Sequence, residues 1–403
     1  MATSSPPPTP AARSEWRVIL PLCLTVFAVL VHGSAIGPLA KEMALDLHTP
    51  VPLIGQVSTL IFAMMAVAGI ILGPLADHFG RRAVILLGLG TLSASAAVMG
   101  LAPTYPVLLL GGLIAGIGAS SLGLASAVAA ARYAGDTRRR MLGRIQASQT
   151  SGSILGAPIL TAVAAAFLWR GAYVIVLLGY LLATVLVVRG LERDPRSEGR
   201  FTVRTVLAAY RPLVRDRRML ALYGATALRA LGWLGPFVYL GAFYADERGL
   251  SLRQIGVAYM LASGGMFVGN LAAGQWLGGT DLRRAFAVTT GIMALAWGAI
   301  FTLPLTAPQT VAAAMIASFA AGMSWISLTT LLAAETPAGP GTTMTLNGSV
   351  FALGSALGTA VGGILVGVGG YHLLGIGLPA CTLVAGLLVW RPQLRFAVAV
   401  GRG

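Results

Sequence analysis

The chain has few side chains that can do chemistry, and one short stretch gathers several of them. GPLADHFGRR, residues 73–82, places an aspartate and two adjacent arginines between two apolar runs. Gly73 lets a helix end lie close to a neighbour, and Gly80 permits a tight turn. Asp77 is an anion suited to the positive N-terminal end of another helix. The stretch is therefore predicted to be a polar junction between two helices.

One histidine and one arginine lie well inside the long apolar runs, away from their ends: His32 and Arg229. A histidine titrates near neutral pH and suits a proton carrier, or it stays neutral and hydrogen-bonds a neighbouring helix or interfacial water. Arg229 lies about 15 Å into its run at 1.5 Å per helical residue. A charge at that depth usually faces a cavity or a partner. Because no acid lies within a run, its predicted counter-ion is an anionic substrate, or carbonyls freed by a break near Gly232, Gly235 or Pro236.

Softer candidates are polar or aromatic side chains at other positions in the apolar runs. They are predicted to line a cavity, although interhelical hydrogen bonding is the commoner use of such groups. These candidates are Gln149, Asn270, Trp325 and Asn347.

The elements that position these residues follow from composition. Hydrophobic residues make up 56% of the 403 residues and charged residues only 10%. An apolar stretch of about 20 residues crosses the hydrocarbon of a bilayer as a helix. The sequence predicts an all-α membrane protein with twelve such spans, at 17–37, 53–76, 83–102, 106–131, 144–167, 172–189, 219–244, 254–278, 285–304, 308–333, 343–368 and 371–390.

The charge distribution predicts the orientation. The formal net charge is +15, and most of the 28 Lys and Arg fall on one side if the first span leaves the cytoplasm. Four of them (Lys41, Arg170, Arg248 and Arg253) fall on the other side. This is the positive-inside bias, which predicts a multi-pass protein of the bacterial cytoplasmic (inner) membrane with both termini cytoplasmic. The basic surface would face anionic membrane lipids, and nucleic-acid binding is excluded.

A polar segment divides the spans into two sets of six. The predicted organisation is a disordered cytoplasmic tail (1–15), an N-terminal six-helix half (16–189), a cytoplasmic linker (190–218), a C-terminal six-helix half (219–391) and a second tail (392–403). Two such halves predict a parallel repeat with a binding site between them.

These features resemble a major facilitator superfamily transporter. GPLADHFGRR fits the loop signature G-x-L-A-D-x-x-G-R/K-R/K after the second of twelve spans, with gating residues Gly73, Asp77, Gly80, Arg81 and Arg82. WRGAYVI (169–175) and NGSVFALGSALGTAVGGILVG (347–367) resemble segments of bacterial drug and sugar exporters, the drug:proton antiporter-like branch. The resemblance implies a major facilitator fold.

The resemblance also implies an inner gate. In the family, the aspartate of the signature contacts the eleventh helix, which would begin here near 341–348. Charged residues are expected to pair at this gate: Arg81 or Arg82 with Asp136, and Arg283 or Arg284 with Glu335. Such bonds would hold the inner side shut while the outer side is open.

The predicted function is a monomeric secondary transporter that exports a small organic molecule, a drug or metabolite, by alternating access. Protons are the candidate coupling ion, although all 13 acids lie outside the spans. The alternative is an importer or facilitator of a small organic anion centred on Arg229. A membrane enzyme or receptor is disfavoured, because no paired aspartates, metal-binding cluster or signalling domain is visible. No cofactor and no metal site are expected.

Overall fold

The computed structural model describes residues 10–192, 210–337 and 339–390, and for residues 10–14, 73, 74, 77 and 340 it describes the backbone alone. Almost all described residues are helical, and none of them is in a strand. We number the helices α1 (Pro10–Gly33), α2 (Ile36–Asp46), α3 (Val51–Phe79), α4 (Arg81–Gly100), α5 (Tyr105–Ala119), α6 (Leu124–Arg132), α7 (Gly135–Gly190), α8 (Arg217–Glu247), α9 (Leu252–Trp276), α10 (Leu282–Thr302), α11 (Ala307–Glu335) and α12 (Pro340–Trp390).

Each predicted span falls on these helices. Nine helical segments of the described chain are long and apolar enough to cross a membrane. Two of them, α7 and α12, contain a sharp turn at Phe167–Leu168 and at Gly369–Gly370, so each holds two predicted spans. The fourth span consists of α5, a 3₁₀ turn (Ser120–Gly123) and α6. The helices are consistent with the predicted twelve spans, and the all-α membrane fold is confirmed.

One predicted domain boundary differs from the helices, and parts of the predicted linker and tails lie outside the described residues. α1 begins at Pro10, inside the stretch 1–15 that was predicted as a tail, and residues 1–9 lie outside the described part. Most of the predicted linker, 193–209, and the second tail also lie outside it. We use "N-terminal half" for α1–α7 and "C-terminal half" for α8–α12.

Glycines let helices meet at backbone distance. A Cβ at Gly152 would lie 2.8 Å from the carbonyl oxygen of Phe27, so α7 packs directly on α1. A Cβ at Gly265 would lie 2.6 Å from the carbonyl oxygen of Met315, so α9 packs on α11. Small residues are the usual means of close helix packing in membranes. This packing makes each half a continuous body.

A carboxylate ties three turns of the N-terminal half together at the predicted outer end. Asp46 ends α2 and accepts hydrogen bonds from Trp169 Nε1 at 3.1 Å and from Arg170. Arg170 also donates to the carbonyl oxygen of Ala102 at 2.9 Å. The WR pair therefore joins the turn between the fifth and sixth spans to the two neighbouring turns.

Candidate functional site

A cavity of about 670 Å³ lies between the halves at the predicted cytoplasmic end, which we call the inner end. The N-terminal half contributes residues of α3, Arg81 of α4 and residues of the fourth span. The C-terminal half contributes the first turns of α12, and Tyr210, which precedes α8, completes the lining. Its volume is in the range of small-molecule sites. The lining thus draws on both bodies that alternating access requires to move.

The cavity lining combines apolar and hydroxyl groups with one guanidinium. Met65, Leu72 and Met344 supply apolar surface, and Arg81 stands at the rim. Hydroxyl groups come from Ser120, Thr342, Thr345 and Ser349. The hydroxyl oxygen of Ser349 is buried and has no hydrogen-bond partner in the described structure. An unpaired buried hydroxyl is costly, so Ser349 is a candidate for hydrogen bonding to a substrate.

The opposite, outer end is closed by hydrogen bonds between the halves. Gln56 Nε2 on α3 donates to the carbonyl oxygen of Ala360 on α12 at 3.3 Å. The hydroxyls of Thr59 and Thr359 are 3.0 Å apart in the same pair of helices. Tyr239 on α8 donates to the carbonyl oxygen of Thr359 at 2.8 Å and lies 3.5 Å from that of Pro52. These bonds close the outer end around α3, α8 and α12.

The outer closure continues through backbone contact and an ion pair. A Cβ at Gly241 on α8 would lie 2.9 Å from the carbonyl carbon of Gly37 on α2, so only glycine permits this approach. Lys41 Nζ on α2 lies 2.6 Å from Asp246 Oδ1 on α8. Tyr371 donates to the other oxygen of Asp246 at 2.9 Å. We call Lys41, Asp246 and Tyr371 the outer latch.

The GPLADHFGRR stretch forms the turn between α3 and α4, at the inner end. Gly80 has φ of 91°, a conformation that favours glycine. Arg82 Nη2 donates to the carbonyl oxygen of Val188 at 2.9 Å, within the N-terminal half. Arg81 lines the cavity. The side chain of Asp77 lies outside the described residues, as does any contact of Gly73 beyond its backbone.

The expected gate pairs do not join the two halves in this structure. Asp136 pairs with Arg139, not with Arg81 or Arg82, because residues three apart are neighbours in the first turn of α7. Arg283 does pair with Glu335, at 2.6 and 2.7 Å. Both lie in the C-terminal half, so this bond connects α10 to α11 and does not bridge the halves. Arg284 donates its backbone N–H to Asp281, the N-cap of α10.

Arg229 is buried inside the C-terminal half, with 1% of its surface exposed. Its Nε donates to Ser324 Oγ at 2.7 Å, and its Nη2 donates to the carbonyl oxygen of Ala321. The guanidinium lies 5.4 Å from the ring centroid of Trp325. These groups of α11 take the place predicted for carbonyls at a helix break, and α8 runs without a break through Gly232 and Pro236. Arg229 does not line the inner cavity.

His32 is buried between α1 and the second half of α7. Its Nδ1 lies 3.0 Å from the hydroxyl of Tyr180, and its ring meets Tyr173 edge to face. Its Nε2 is buried without a partner in the described structure. All these contacts are within the N-terminal half, away from the inner cavity. This geometry matches the neutral, hydrogen-bonded alternative more closely than that of a proton carrier.

The other candidates are dispersed. Asn347 is buried, and its Oδ1 accepts a hydrogen bond from Thr226 at 2.8 Å, which connects α12 to α8. Asn270 faces Gly322 on α11, and Gln149 is half-buried on α7. None of the three lines the inner cavity. The sequence analysis did not single out Ser349 or Tyr210, which both line the cavity. A serine inside an apolar helix normally bonds its own backbone, so the sequence alone gave no reason to choose Ser349.

The sequence that forms these two helical halves matches a known protein family. The profile described as Major Facilitator Superfamily matches residues 22–340. The chain belongs to the Major Facilitator Superfamily. This membership confirms the predicted resemblance and makes the chain a transporter and not an enzyme.

Relatives of this superfamily member extend over most of the chain. It is 25% identical over 396 residues to the transcription regulatory protein OpdE of Pseudomonas aeruginosa, with 94% of each chain covered. It is 27% identical over 362 residues to a chloramphenicol resistance protein of Streptomyces lividans, covering 86% of this chain and 89% of the relative. A bacterial homologue of the lysosomal transporter Spinster, solved in an inward-facing, unoccupied conformation, matches with TM-score 0.72, 17% identity and 95% of both chains covered.

Proposed function

We propose that this protein exports a small organic molecule across the bacterial cytoplasmic membrane by alternating access. The observation that carries the proposal is the asymmetry of the bundle: the cavity opens between the halves at the inner end, while the outer end is sealed. A cavity loaded from the cytoplasm suits export. The chloramphenicol resistance relative supports the same direction.

The substrate is accommodated by apolar surface and neutral hydrogen-bonding groups. Methionine and leucine side chains supply much of the apolar lining, and hydroxyls provide directional contacts. Methionine is adaptable in shape and suits varied apolar ligands. Coupling to protons remains a proposal, because His32 is enclosed among tyrosines and no acid lies within a span.

The test is flux in proteoliposomes of known orientation, with imposed pH or sodium gradients and neutral, anionic and cationic compounds. We expect at least one neutral or weakly polar compound to move outward from the cytoplasmic face. Its transport should be faster in the wild type than in Ser349→Ala. Ser355→Ala is the matched control, because Ser355 lies on the same helix and donates to the carbonyl oxygen of Phe351 at 2.8 Å. Movement no faster than in protein-free vesicles would refute the proposal.

Import or facilitated passage of a small organic anion is the second candidate. Arg229 no longer carries it, because the side chains and carbonyls of α11 occupy its donors. Arg81 at the cavity rim supplies the positive charge instead. Anion uptake that Arg81→Gln abolishes and Ser349→Ala leaves unchanged would favour this candidate.

A regulatory role is the alternative that the name of the OpdE relative raises. A sensor would bind ligand without net movement across the bilayer. The same proteoliposomes separate the two functions: saturable binding with no flux under any gradient would indicate a sensor.

A further inference from the structure

A second cavity lies far from the transport path, on the outside of the C-terminal half. It is a groove of about 690 Å³ between the outer ends of α9 and α11. The lining is almost entirely apolar and includes Leu250, Val257, Leu261, Val311 and Met315. Val257 and Leu261 remain 46% and 38% exposed, so the groove opens toward the surrounding hydrocarbon and not toward the protein interior.

The groove exists because the two helices diverge outward from a tight contact. At Gly265, Gly269 and Gly322 the backbones of α9 and α11 touch, since an added Cβ at each would come within 3 Å of an atom of the other helix. The glycine contact ends at Gly265, so the stretch from Leu250 to Leu261 lies apart from α11. That stretch is about 17 Å long at 1.5 Å per residue. A narrow, elongated, apolar slot is the shape that an extended alkyl chain fills.

The polar end of the groove is Arg253. Three of the four cations predicted at the outer end have protein partners: Lys41 binds Asp246, Arg170 binds Asp46, and Arg248 donates to Thr310 and lies over the ring of Phe243. Arg253 is exposed and makes no hydrogen bond or ion pair with any residue that the structure describes.

The position of Arg253 adds to this contrast. It lies in the first turn of α9, where the helix dipole disfavours a positive charge. The neighbouring Gln254 is already engaged in a capping box with Ser251. Arg253 therefore contributes nothing to its own helix, and its charge is available to an external anion.

We propose that the groove binds one acyl chain of an anionic phospholipid from the outer leaflet, with Arg253 donating hydrogen bonds to the phosphate. A guanidinium matches phosphate oxygens in a two-pronged contact, and each methylene of the chain that is buried in the groove adds to the affinity. The lipid fills the space between α9 and α11 and supports the outer part of the C-terminal half. This site is separate from the transport cavity and does not depend on the direction of transport.

The experiment measures lipid binding to the full-length protein by native mass spectrometry in detergent. The probes are phosphatidylglycerol and phosphatidylcholine with identical acyl chains. The wild type should retain phosphatidylglycerol preferentially, and Arg253→Gln should lower that affinity about fivefold, the factor typical of one basic residue near an anionic surface. Binding of phosphatidylcholine should change little. Arg253→Lys keeps the charge and should keep most of the preference.

A second variant tests the acyl-chain slot. Ala312 is exposed in the groove, so Ala312→Trp should fill it and reduce binding of both lipids. Leu295→Trp is the control, because Leu295 is 71% exposed on α10, away from the groove. Wild-type lipid retention in either Arg253→Gln or Ala312→Trp, or no retained phospholipid in the wild type, overturns the site. If Ala312→Trp does not fold, Arg253→Gln alone tests the site. Arg253→Gln should fold normally, because the Arg253 side chain is exposed and its replacement leaves the packing of the helices unchanged.

Discussion

The two ends of the bundle hold their polar groups in opposite ways. At the outer end, Lys41 reaches across to Asp246 and Gln56 to the backbone of Ala360, so bonds join the two halves. At the inner end, two bonds between described residues, Arg283 to Glu335 and Arg82 to the carbonyl oxygen of Val188, each lie within one half. The two halves are separated by the cavity at the inner end, where these bonds lie within each half. We therefore expect polar contacts within a half to serve stability and contacts between halves to set the conformational equilibrium.

The contacts between the halves at the outer end are individually weak enough to break when the outer end opens. Lys41 and Asp246 are each about one-third exposed, and exposed ion pairs contribute about 0.2–1 kcal/mol. Several such bonds together make a difference of a few kcal/mol, which is the range over which a ligand can shift two states. The pair of Arg283 and Glu335, within the C-terminal half, is more deeply buried, with 12% and 24% of the two side chains exposed.

The largest expected effect is at Arg229, whose hydrogen bonds to α11 lie within the C-terminal half. Arg229→Ala removes the hydrogen bonds that Arg229 donates to Ser324 and to the carbonyl oxygen of Ala321, and it opens a cavity. We therefore expect a loss of about 3 kcal/mol in the free energy of unfolding. Thermal melting without ligand measures it. Arg229→Met removes the same hydrogen bonds but should cost less, because its side chain fills most of the cavity that alanine leaves.

The same variants separate a structural Arg229 from a substrate-binding one. The accessibility of probes at the two ends should stay as in the wild type once the protein is folded. If Arg229→Ala melts like the wild type and loses only affinity for anionic compounds, the residue binds substrate and the structural interpretation is wrong.

Gly241 tests the cross-half side. Gly241→Val pushes a side chain against the backbone of Gly37, and such overpacking costs about 1–3 kcal/mol. The strain falls between the halves, so the outer end should open and transport should fall, while each half stays folded. Cysteine labelling at outer-end positions measures the opening. Gly291→Val is the control, because an added Cβ there meets nothing within 4 Å; equal labelling in both variants would count against the closure described for α2 and α8.

Much of this architecture could be predicted from the sequence. Runs of about 20 apolar residues locate the helices, because a bilayer leaves no other way to satisfy the backbone. The GPLADHFGRR stretch located a turn that Gly80 makes with positive φ. Helix ends were less accessible: α1 begins at Pro10, since helix ends depend on contacts that a hydropathy pattern does not contain.

The partners of the polar residues were harder to predict. Lys41 and Asp246 are distant in the chain, and nothing in either local sequence indicates that they meet. The sequence singled out Arg229 correctly as unusual, but Ser324 is an ordinary serine that becomes its partner only when α8 packs on α11. Ser349 could not be chosen among many buried hydroxyls, because only the packed structure shows which of them lack a partner and which of those lines the cavity.

The outer latch offers a smaller, graded test. Asp246 holds both Lys41 and Tyr371, so Asp246→Ala should increase outer-end labelling more than Lys41→Ala. A double-mutant cycle on Lys41 and Asp246 should give a coupling of about 0.5 kcal/mol in the opening equilibrium. Additive effects of the two single substitutions would show that the ion pair does not contribute to closure.

The smallest expected effect is a pH dependence at Asp46, which lies at the outer end but bonds only within its own half. Partial burial raises the pKa of the Asp46 carboxyl, but hydrogen bonds from Arg170 and Trp169 and the positive charge of Arg170 outweigh it and hold the pKa below its ordinary value. A depressed pKa means that the contribution to stability is complete above the unfolded value of about 4 and is lost as pH falls through the folded pKa. Melting temperature should therefore fall more steeply below about pH 4 in the wild type than in Asp46→Asn, whereas outer-end labelling should not respond to the substitution.

Asp136→Asn is the matched control, because its pair with Arg139 is almost fully exposed. A change in labelling with Asp46→Asn would mean that this carboxylate takes part in closure, and the division between contacts within and between halves would not hold at the outer end.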